Sequence, residues 1–103
     1  MAEIKLFWTR TAVKQRNYIL KYWNSRNKSN LYSKKLLKKI NNRIELIKTH
    51  PKIGKKTEFD TTRIISLGHY SILYKQINSE IYITGFWDNR QDPKKLLDFI
   101  KNN

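Results

Sequence analysis

The sequence predicts an α+β fold in which an antiparallel sheet is packed by a helical hairpin, in the order β-α-α-β-β-β with a short C-terminal helix. Apolar residues recur at helical spacing in the first half of the chain and alternate with period 2 in the second half. A short polar segment, residues 24–30, separates the two helical stretches, which favours an antiparallel pair of helices. A chain of 103 residues has room for one core, so we expect residues 1–103 to form a single domain.

The first elements are predicted to be a strand and a helix. Residues 4–8 alternate between apolar and polar side chains well enough to form a short strand. A helix is expected over about residues 11–26, where apolar residues form a stripe at helical spacing. Thr9 or Thr11 is the expected N-cap, because a hydroxyl accepts hydrogen bonds from the free amides of the first turn.

A second, longer helix is expected over about residues 30–49, with Ser29 or Asn30 as its cap. Its apolar stripe, which should be buried against the sheet, includes Ile40, Ile44 and Ile47. The helix should end at His50-Pro51, because the residue before a proline disfavours the α conformation.

The second half of the chain is predicted to form a three-stranded meander. The strands are expected at residues 63–67, 70–76 and 81–87, with two-residue turns at 68–69 and 78–79. Asp92 followed by Pro93 marks the start of the final helix, since proline is favoured at the first helical position. Trp8, Trp23 and Trp87 are expected in the core.

Positive charge is concentrated in one part of the chain. Residues 1–57 hold 16 lysines and arginines against two acids, which accounts for the whole net charge of +14. Such asymmetry favours a polyanionic partner, either nucleic acid, a ribonucleoprotein or an acidic protein. The lysines expected to bind it are Lys34, Lys35, Lys38, Lys39, Lys48, Lys52, Lys55 and Lys56. The alternative is a solvated helical stripe that only aids solubility.

Composition excludes several classes of site. The absence of cysteine removes disulfides, thiolate chemistry and cysteine-based zinc sites, and two histidines 19 residues apart make no convincing metal site. No apolar run approaches the roughly 18 residues that span a bilayer, and the N-terminus lacks a signal peptide's apolar region. We therefore expect a cytoplasmic protein with no metal, no cofactor and no membrane contact.

Four short motifs follow one another along nearly the whole chain. They are Trp8-Thr9-Arg10-Thr11-Ala12, the segment from His50 to Gly54, the strand pair from Arg63 to Tyr74, and the segment from Phe86 to Leu96. In this order, on a basic chain of this length, they resemble the RelE/ParE toxin superfamily of bacterial type II toxin–antitoxin systems. The resemblance implies a growth-inhibiting toxin, of the kind involved in plasmid stabilization, which a cognate antitoxin with an acidic binding segment neutralises.

The resemblance leaves two branches open. RelE-like members are metal-independent mRNA endonucleases that act on the ribosome and inhibit translation. Attack of a ribose 2′-OH on the adjacent phosphate needs a proton acceptor, a proton donor and cations. ParE-like members share the fold, lack that residue set and act on DNA gyrase. A basic nucleic-acid-binding domain without toxin activity is a further alternative, which explains the charge but not the motifs.

Three residues are candidates for catalysis if the chain is an RNase. Arg90 lies where RelE-like enzymes carry an arginine that contacts the scissile phosphate, although it could instead pair with Asp88 or Asp92. Arg63 could add a phosphate contact or merely cover apolar surface on an edge strand. His69 could act as a general acid or base, or serve only as a turn residue.

Two departures from the RelE-like pattern lean against the nuclease. Ser71 occupies a position where RelE-like chains often have arginine. The final helix, from Pro93 to Lys101, contains no tyrosine or histidine to serve as an acid or base. Whether the protein is an enzyme therefore stays open at the level of sequence.

Overall fold

The computed structural model describes residues 4–59 and 61–102. The elements are β1 (Lys5–Trp8), α1 (Arg10–Asn27), α2 (Leu31–Thr49), β2 (Lys55–Lys56), β3 (Arg63–Leu67), β4 (Tyr70–Ile77), β5 (Glu80–Asp88) and α3 (Pro93–Asn102). The predicted α+β class, helical hairpin, meander and C-terminal helix are confirmed. Across the described residues, no helix is both long enough and apolar enough to cross a membrane.

The five strands form one sheet in the order β1-β5-β4-β3-β2. Strands β2 to β5 pair antiparallel, whereas β1 pairs parallel with β5, so that Lys5 lies opposite Glu80 and Trp8 opposite Ile83. The sheet is therefore mixed and not wholly antiparallel. The long connection from β1 to β5, which contains both helices and strands β2 to β4, permits this, because parallel pairing needs a crossover of a dozen or more residues. The two-residue strand β2 was not predicted.

Local caps set the bounds of the helical hairpin. The Thr9 hydroxyl accepts from the Ala12 amide at 3.2 Å, which confirms one of the two predicted caps of α1. Lys28 ends this helix in a left-handed conformation with φ of 50°. At the start of α2, the Ser29 hydroxyl accepts from the Leu31 amide at 3.2 Å, whereas the Asn30 side chain makes no capping bond.

One face of the sheet packs against the helical hairpin. Ile40 and Ile47 of α2 are fully buried there, as predicted. Ile44 of the same stripe is only partly buried, although it packs against this core. The largest buried side chains from the strands include Ile72, Tyr74, Ile81, Ile83 and Phe86.

The other face of the sheet packs against α3. Leu73, Trp87 and Ile100 are buried between them, and Leu96 and Phe99 pack against this cluster. A Cβ at Gly85 would lie 2.6 Å from the Phe99 ring, so glycine allows this close approach. Of the three tryptophans expected in the core, Trp87 is buried, whereas Trp8 and Trp23 are only partly buried.

Candidate functional site

Arg90 lies in the turn after β5, and its guanidinium is bound by Asp88. Nε donates to Oδ1 at 3.0 Å and Nη2 to Oδ2 at 2.8 Å, while the Arg90 backbone amide donates to Oδ1 at 2.9 Å. These hydrogen bonds hold the pKa of Asp88 below its usual value, and the carboxylate raises the pKa of Arg90. Of the two acids that could pair with Arg90, Asp88 and Asp92, it is therefore Asp88 that does so. The Arg90 side chain remains 53% exposed.

His69 lies at the same end of the sheet as Arg90. Its carbonyl oxygen accepts from the Asn89 amide at 2.8 Å, which holds the β3–β4 turn against the segment after β5. Its side chain is exposed, and its charge lowers the pKa of Asp88 further, as a smaller cause than Arg90. Gly68, with φ of +61°, supplies the left-handed conformation that this turn requires.

Arg63 lies at the opposite end of the β3–β4 hairpin. Arg63 pairs with Tyr74 of β4. Along β3 it lies four residues from Leu67, next to the turn, a distance of about 13 Å at the usual rise per residue. Its Nη1 donates to the carbonyl oxygens of Gly54 at 2.8 Å and Lys52 at 3.3 Å. The three candidate catalytic residues do not converge, because only His69 and Arg90 share one end of the sheet.

The loop after α2 is anchored to the sheet by Tyr74. The Tyr74 hydroxyl accepts from the Gly54 amide at 2.8 Å and donates to the Pro51 carbonyl at 2.8 Å. A Cβ at position 54 would lie 2.7 Å from that hydroxyl, so the site requires glycine. Burial raises the pKa of Tyr74. These contacts account for Pro51 and Gly54 in the motif from His50 to Gly54, and they fix the base of the lysine-bearing loop.

The candidate binding lysines extend along the whole of α2 and into this loop. Those that are exposed are Lys34, Lys35, Lys38, Lys39, Lys52, Lys55 and Lys56. Lys48 is partly buried and lies 3.9 Å from Glu45, the one acidic residue in the α2 sequence. We call these eight residues the lysine surface. Its charge is largely unneutralised by its own helix, so it attracts anions.

A cleft runs between α1 and the end of β5. Two adjoining cavities of about 450 and 410 Å³ share Tyr18, Ile19, Asp88 and Gln91 as lining residues. The second cavity is lined further by Tyr22, Trp23, Tyr70 and Arg90. The arginine that the sequence singled out therefore stands at one end of a cleft that is rich in aromatic side chains.

Hydrogen bonds and ring contacts order these aromatic side chains. The Trp23 indole Nε1 donates to the Tyr70 hydroxyl at 2.7 Å, and Tyr70 stacks on Phe86 with ring centroids 5.3 Å apart. Trp23 also contacts Tyr22 edge-on at 5.2 Å and Tyr32 at 4.7 Å. Burial raises the pKa of Tyr70, which keeps its hydroxyl protonated over a wide pH range.

Comparison with known proteins identifies the family. Residues 6–93 match the model of the family described as ParE toxin of type II toxin-antitoxin system, parDE. The chain belongs to the ParE toxin family. A search of curated proteins finds no significant match. Among solved structures, the fold of this ParE-family chain is similar to one described as the chromosomal ParDE TA system from P. aeruginosa. The two chains are 18% identical with a TM-score of 0.71, over 84% of this chain and 96% of that chain.

Membership in the ParE toxin family confirms the resemblance to the RelE/ParE superfamily and implies an antitoxin partner. The matched range contains Arg90, Arg63, His69 and the whole lysine surface. The similar solved structure supports the fold alone, because sequence identity is low.

The aromatic side of this ParE-family chain was not predicted: Trp23 was expected in the core, and Tyr18 and Tyr22 were given no role. The signal was present, because Tyr18 and Tyr22 are four residues apart on one face of α1. What the sequence did not reveal was that this face meets Arg90, 68 positions further along the chain than Tyr22.

Proposed function

We propose that this ParE-family toxin arrests bacterial growth by binding a protein target, DNA gyrase, and does not cut RNA. The observation that carries the proposal is the two-point ion pair between Arg90 and Asp88. An arginine that clamps a phosphate presents two parallel N–H donors to it. Here Asp88 already occupies one such edge of the guanidinium, so a bidentate phosphate contact through that edge would require breaking the pair.

The positions of the other candidates support the same proposal. RNA cleavage by a 2′-OH needs an acid, a base and cations within reach of one phosphate. Arg63 is hydrogen-bonded to loop carbonyls at the far end of the hairpin. Ser71 hydrogen-bonds the Asn89 side chain at 2.8 Å, so the position where RelE-like chains often carry arginine serves a local contact here.

We further propose that the lysine surface captures an acidic segment of the cognate antitoxin in the cytoplasm. Oppositely charged surfaces accelerate association because long-range attraction steers the encounter. The seven exposed lysines of this surface are spread along α2 and the following loop, which suits an extended segment better than a compact acidic site. Capture by charge would then precede the apolar contacts that slow dissociation.

The competing candidate is a ribosome-dependent, metal-independent mRNA endonuclease. One observation favours it, namely that the exposed His69 and the half-exposed Arg90 lie at the same end of the sheet. In that case Arg90 would contact the phosphate, His69 would act as acid or base, and Arg63 would contribute only at a distance.

The two candidates predict different products in two parallel assays. Purified protein is added to a gyrase supercoiling reaction and, separately, to a translation extract whose mRNA is mapped by primer extension. We expect inhibition of supercoiling and no new mRNA ends. Ribosome-dependent mRNA ends that disappear with Arg90→Ala, but persist with Lys94→Ala on α3, would contradict the proposal. Loss of one transition-state donor typically lowers the rate about 10²–10³-fold, so primer extension would detect the loss of cleavage in Arg90→Ala.

A further inference from the structure

We propose that one aromatic surface beside α1 is the contact through which this toxin binds its protein target. We call it the aromatic patch and define it as Tyr18, Tyr22, Trp23, Arg26, Tyr32 and Arg90. The partner it fits is a protein surface that inserts an apolar side chain into the cleft and places carboxylates around it. The inference rests on the proposed function, because it assumes that the toxin acts by binding.

Three tyrosines of the aromatic patch expose large parts of their side chains. Tyr18 is 74% exposed, Tyr22 44% and Tyr32 37%. Contiguous exposed aromatic surface on a small protein marks an interaction site more often than chance exposure does. Tyrosine, tryptophan and arginine are also the residues most enriched among those that dominate binding energy at protein interfaces.

Three rings of the aromatic patch, Tyr22, Trp23 and Tyr32, are ordered by contacts with one another and with the buried side chain beneath them. Tyr70 is 2% exposed, and its hydroxyl accepts the Trp23 indole N–H at 2.7 Å. Trp23 in turn contacts the Tyr22 and Tyr32 rings. A surface that is already ordered loses little conformational entropy on binding, which is a property of strong contact sites.

The charge around the patch selects an acidic partner. The α1 sequence contains five lysines and arginines and no acidic residue. Arg26 donates to the Tyr22 hydroxyl at 3.2 Å and lies 5.7 Å from the Trp23 ring centroid, so its charge is fixed at the patch. Arg90, at the other end of the cleft, is paired with Asp88, so Arg26 and the other cations of α1 are the charges that attract a carboxylate.

The same residue types also bind single-stranded nucleic acid, but the arrangement favours a protein. Single-stranded nucleic acid stacks successive bases on successive open ring faces, and Tyr18, at 74% exposed, offers one such face. The Trp23 ring is contacted by Tyr22, Tyr32 and Arg26, and Tyr22 itself meets Trp23 edge-on. Cavities of about 410 and 450 Å³ beside them suit an inserted side chain, in line with the apolar anchors of protein interfaces.

Alanine substitutions of the exposed tyrosines test the inference. Tyr18→Ala and Tyr22→Ala should each raise the toxin concentration for half-inhibition of gyrase about tenfold or more, since interface anchors typically have effects of this size. Tyr18→Phe should retain most of the inhibition, because the ring is kept. Leu97→Ala on α3 is the matched control, as it removes a side chain that is 51% exposed and away from the patch. Circular dichroism spectra should match across all variants.

The outcomes separate this inference from the proposed function. Wild-type inhibition of gyrase with less than a twofold effect of both tyrosine variants would overturn the aromatic patch while leaving the proposed function intact. Failure of the wild type to inhibit gyrase would overturn both. Loss of binding to a fluorescent single-stranded RNA in the Tyr18→Ala variant, with gyrase inhibition unchanged, would assign the patch to nucleic acid instead. Loss of antitoxin binding alone would assign it to the antitoxin, which also contradicts the inference.

Discussion

Replacing Tyr74 with phenylalanine should destabilise the protein by removing the two hydrogen bonds of its hydroxyl, one buried and one partly buried. The Tyr74 side chain is fully buried, and its hydroxyl bonds the Gly54 amide and the Pro51 carbonyl, each at 2.8 Å. A buried donor that loses its partner costs about 1–3 kcal/mol. Loss of the hydrogen bond to the Pro51 carbonyl should destabilise the protein less, because Pro51 is only partly buried and water can replace that bond. We therefore expect the free energy of unfolding to fall by about 1–4 kcal/mol.

Urea unfolding followed by tryptophan fluorescence measures this loss directly. For a domain of this size, each 1 kcal/mol lowers Tm by roughly 4–8 °C, so a thermal melt should show the change as well. Tyr18→Phe removes the same hydroxyl from a side chain that is 74% exposed and should leave stability unchanged. Equal unfolding midpoints for Tyr74→Phe and wild type would refute the argument that this hydroxyl anchors the loop.

Tyr74 should also make the stability of the folded state depend on pH in the alkaline range. Burial raises the pKa of Tyr74 above its ordinary value of 10.0, so the folded state holds this proton more tightly than the unfolded state. The resulting stabilisation is complete below pH 10.0 and is lost as pH rises through the higher folded pKa. Wild type should therefore lose stability above about pH 10 more steeply than Tyr74→Phe. Parallel profiles would contradict the assignment to Tyr74.

Three further predictions concern the core, the site and the antitoxin. Ile40→Ala should lower the free energy of unfolding, measured in urea, by about 2–5 kcal/mol, because Ile40 is fully buried. Ile44→Ala should lower it less, because Ile44 is only partly buried. The reverse order would contradict the packing of α2. Hydrogen bonding to Arg90 lowers the pKa of Asp88 below 3.8 in the folded state. The ionised Asp88 therefore stabilises the folded state fully above pH 3.8, and this contribution is lost as the pH falls through the lower pKa of the folded state. Acid unfolding of Asp88→Asn should accordingly show a weaker pH dependence, and an unchanged profile would refute the ion pair's role. Lys35→Glu with Lys39→Glu should slow antitoxin association in stopped-flow measurements at low salt, and wild-type binding should persist at roughly 0.5 M salt; complete loss there would indicate charge pairing alone.

The elements of the fold could be predicted where local signals were strong. The helical hairpin followed from spacing and caps, and the meander followed from alternation and two-residue turns. The parallel pairing of β1 with β5 could not be predicted, because it joins segments about 75 residues apart and no local pattern encodes the partner. Strand β2 was missed because its two residues, Lys55 and Lys56, are polar and too few to show a period.

The candidate site was predictable as a set of residues but not as a geometry. The sequence offered a phosphate contact and an ion pair for Arg90, and only the folded structure brought its guanidinium within 2.8 Å of Asp88. Likewise, the link between Trp23 and Tyr70 spans 47 positions of the chain, so the aromatic patch is a product of tertiary packing.

Whether the toxin binds gyrase or cuts mRNA is tested most directly by mapping mRNA ends and measuring DNA supercoiling with one preparation of the toxin. We expect the wild-type protein to inhibit gyrase supercoiling while leaving ribosome-bound mRNA intact. Supercoiling that proceeds unimpaired, together with new mRNA ends that require Arg90, would contradict this expectation.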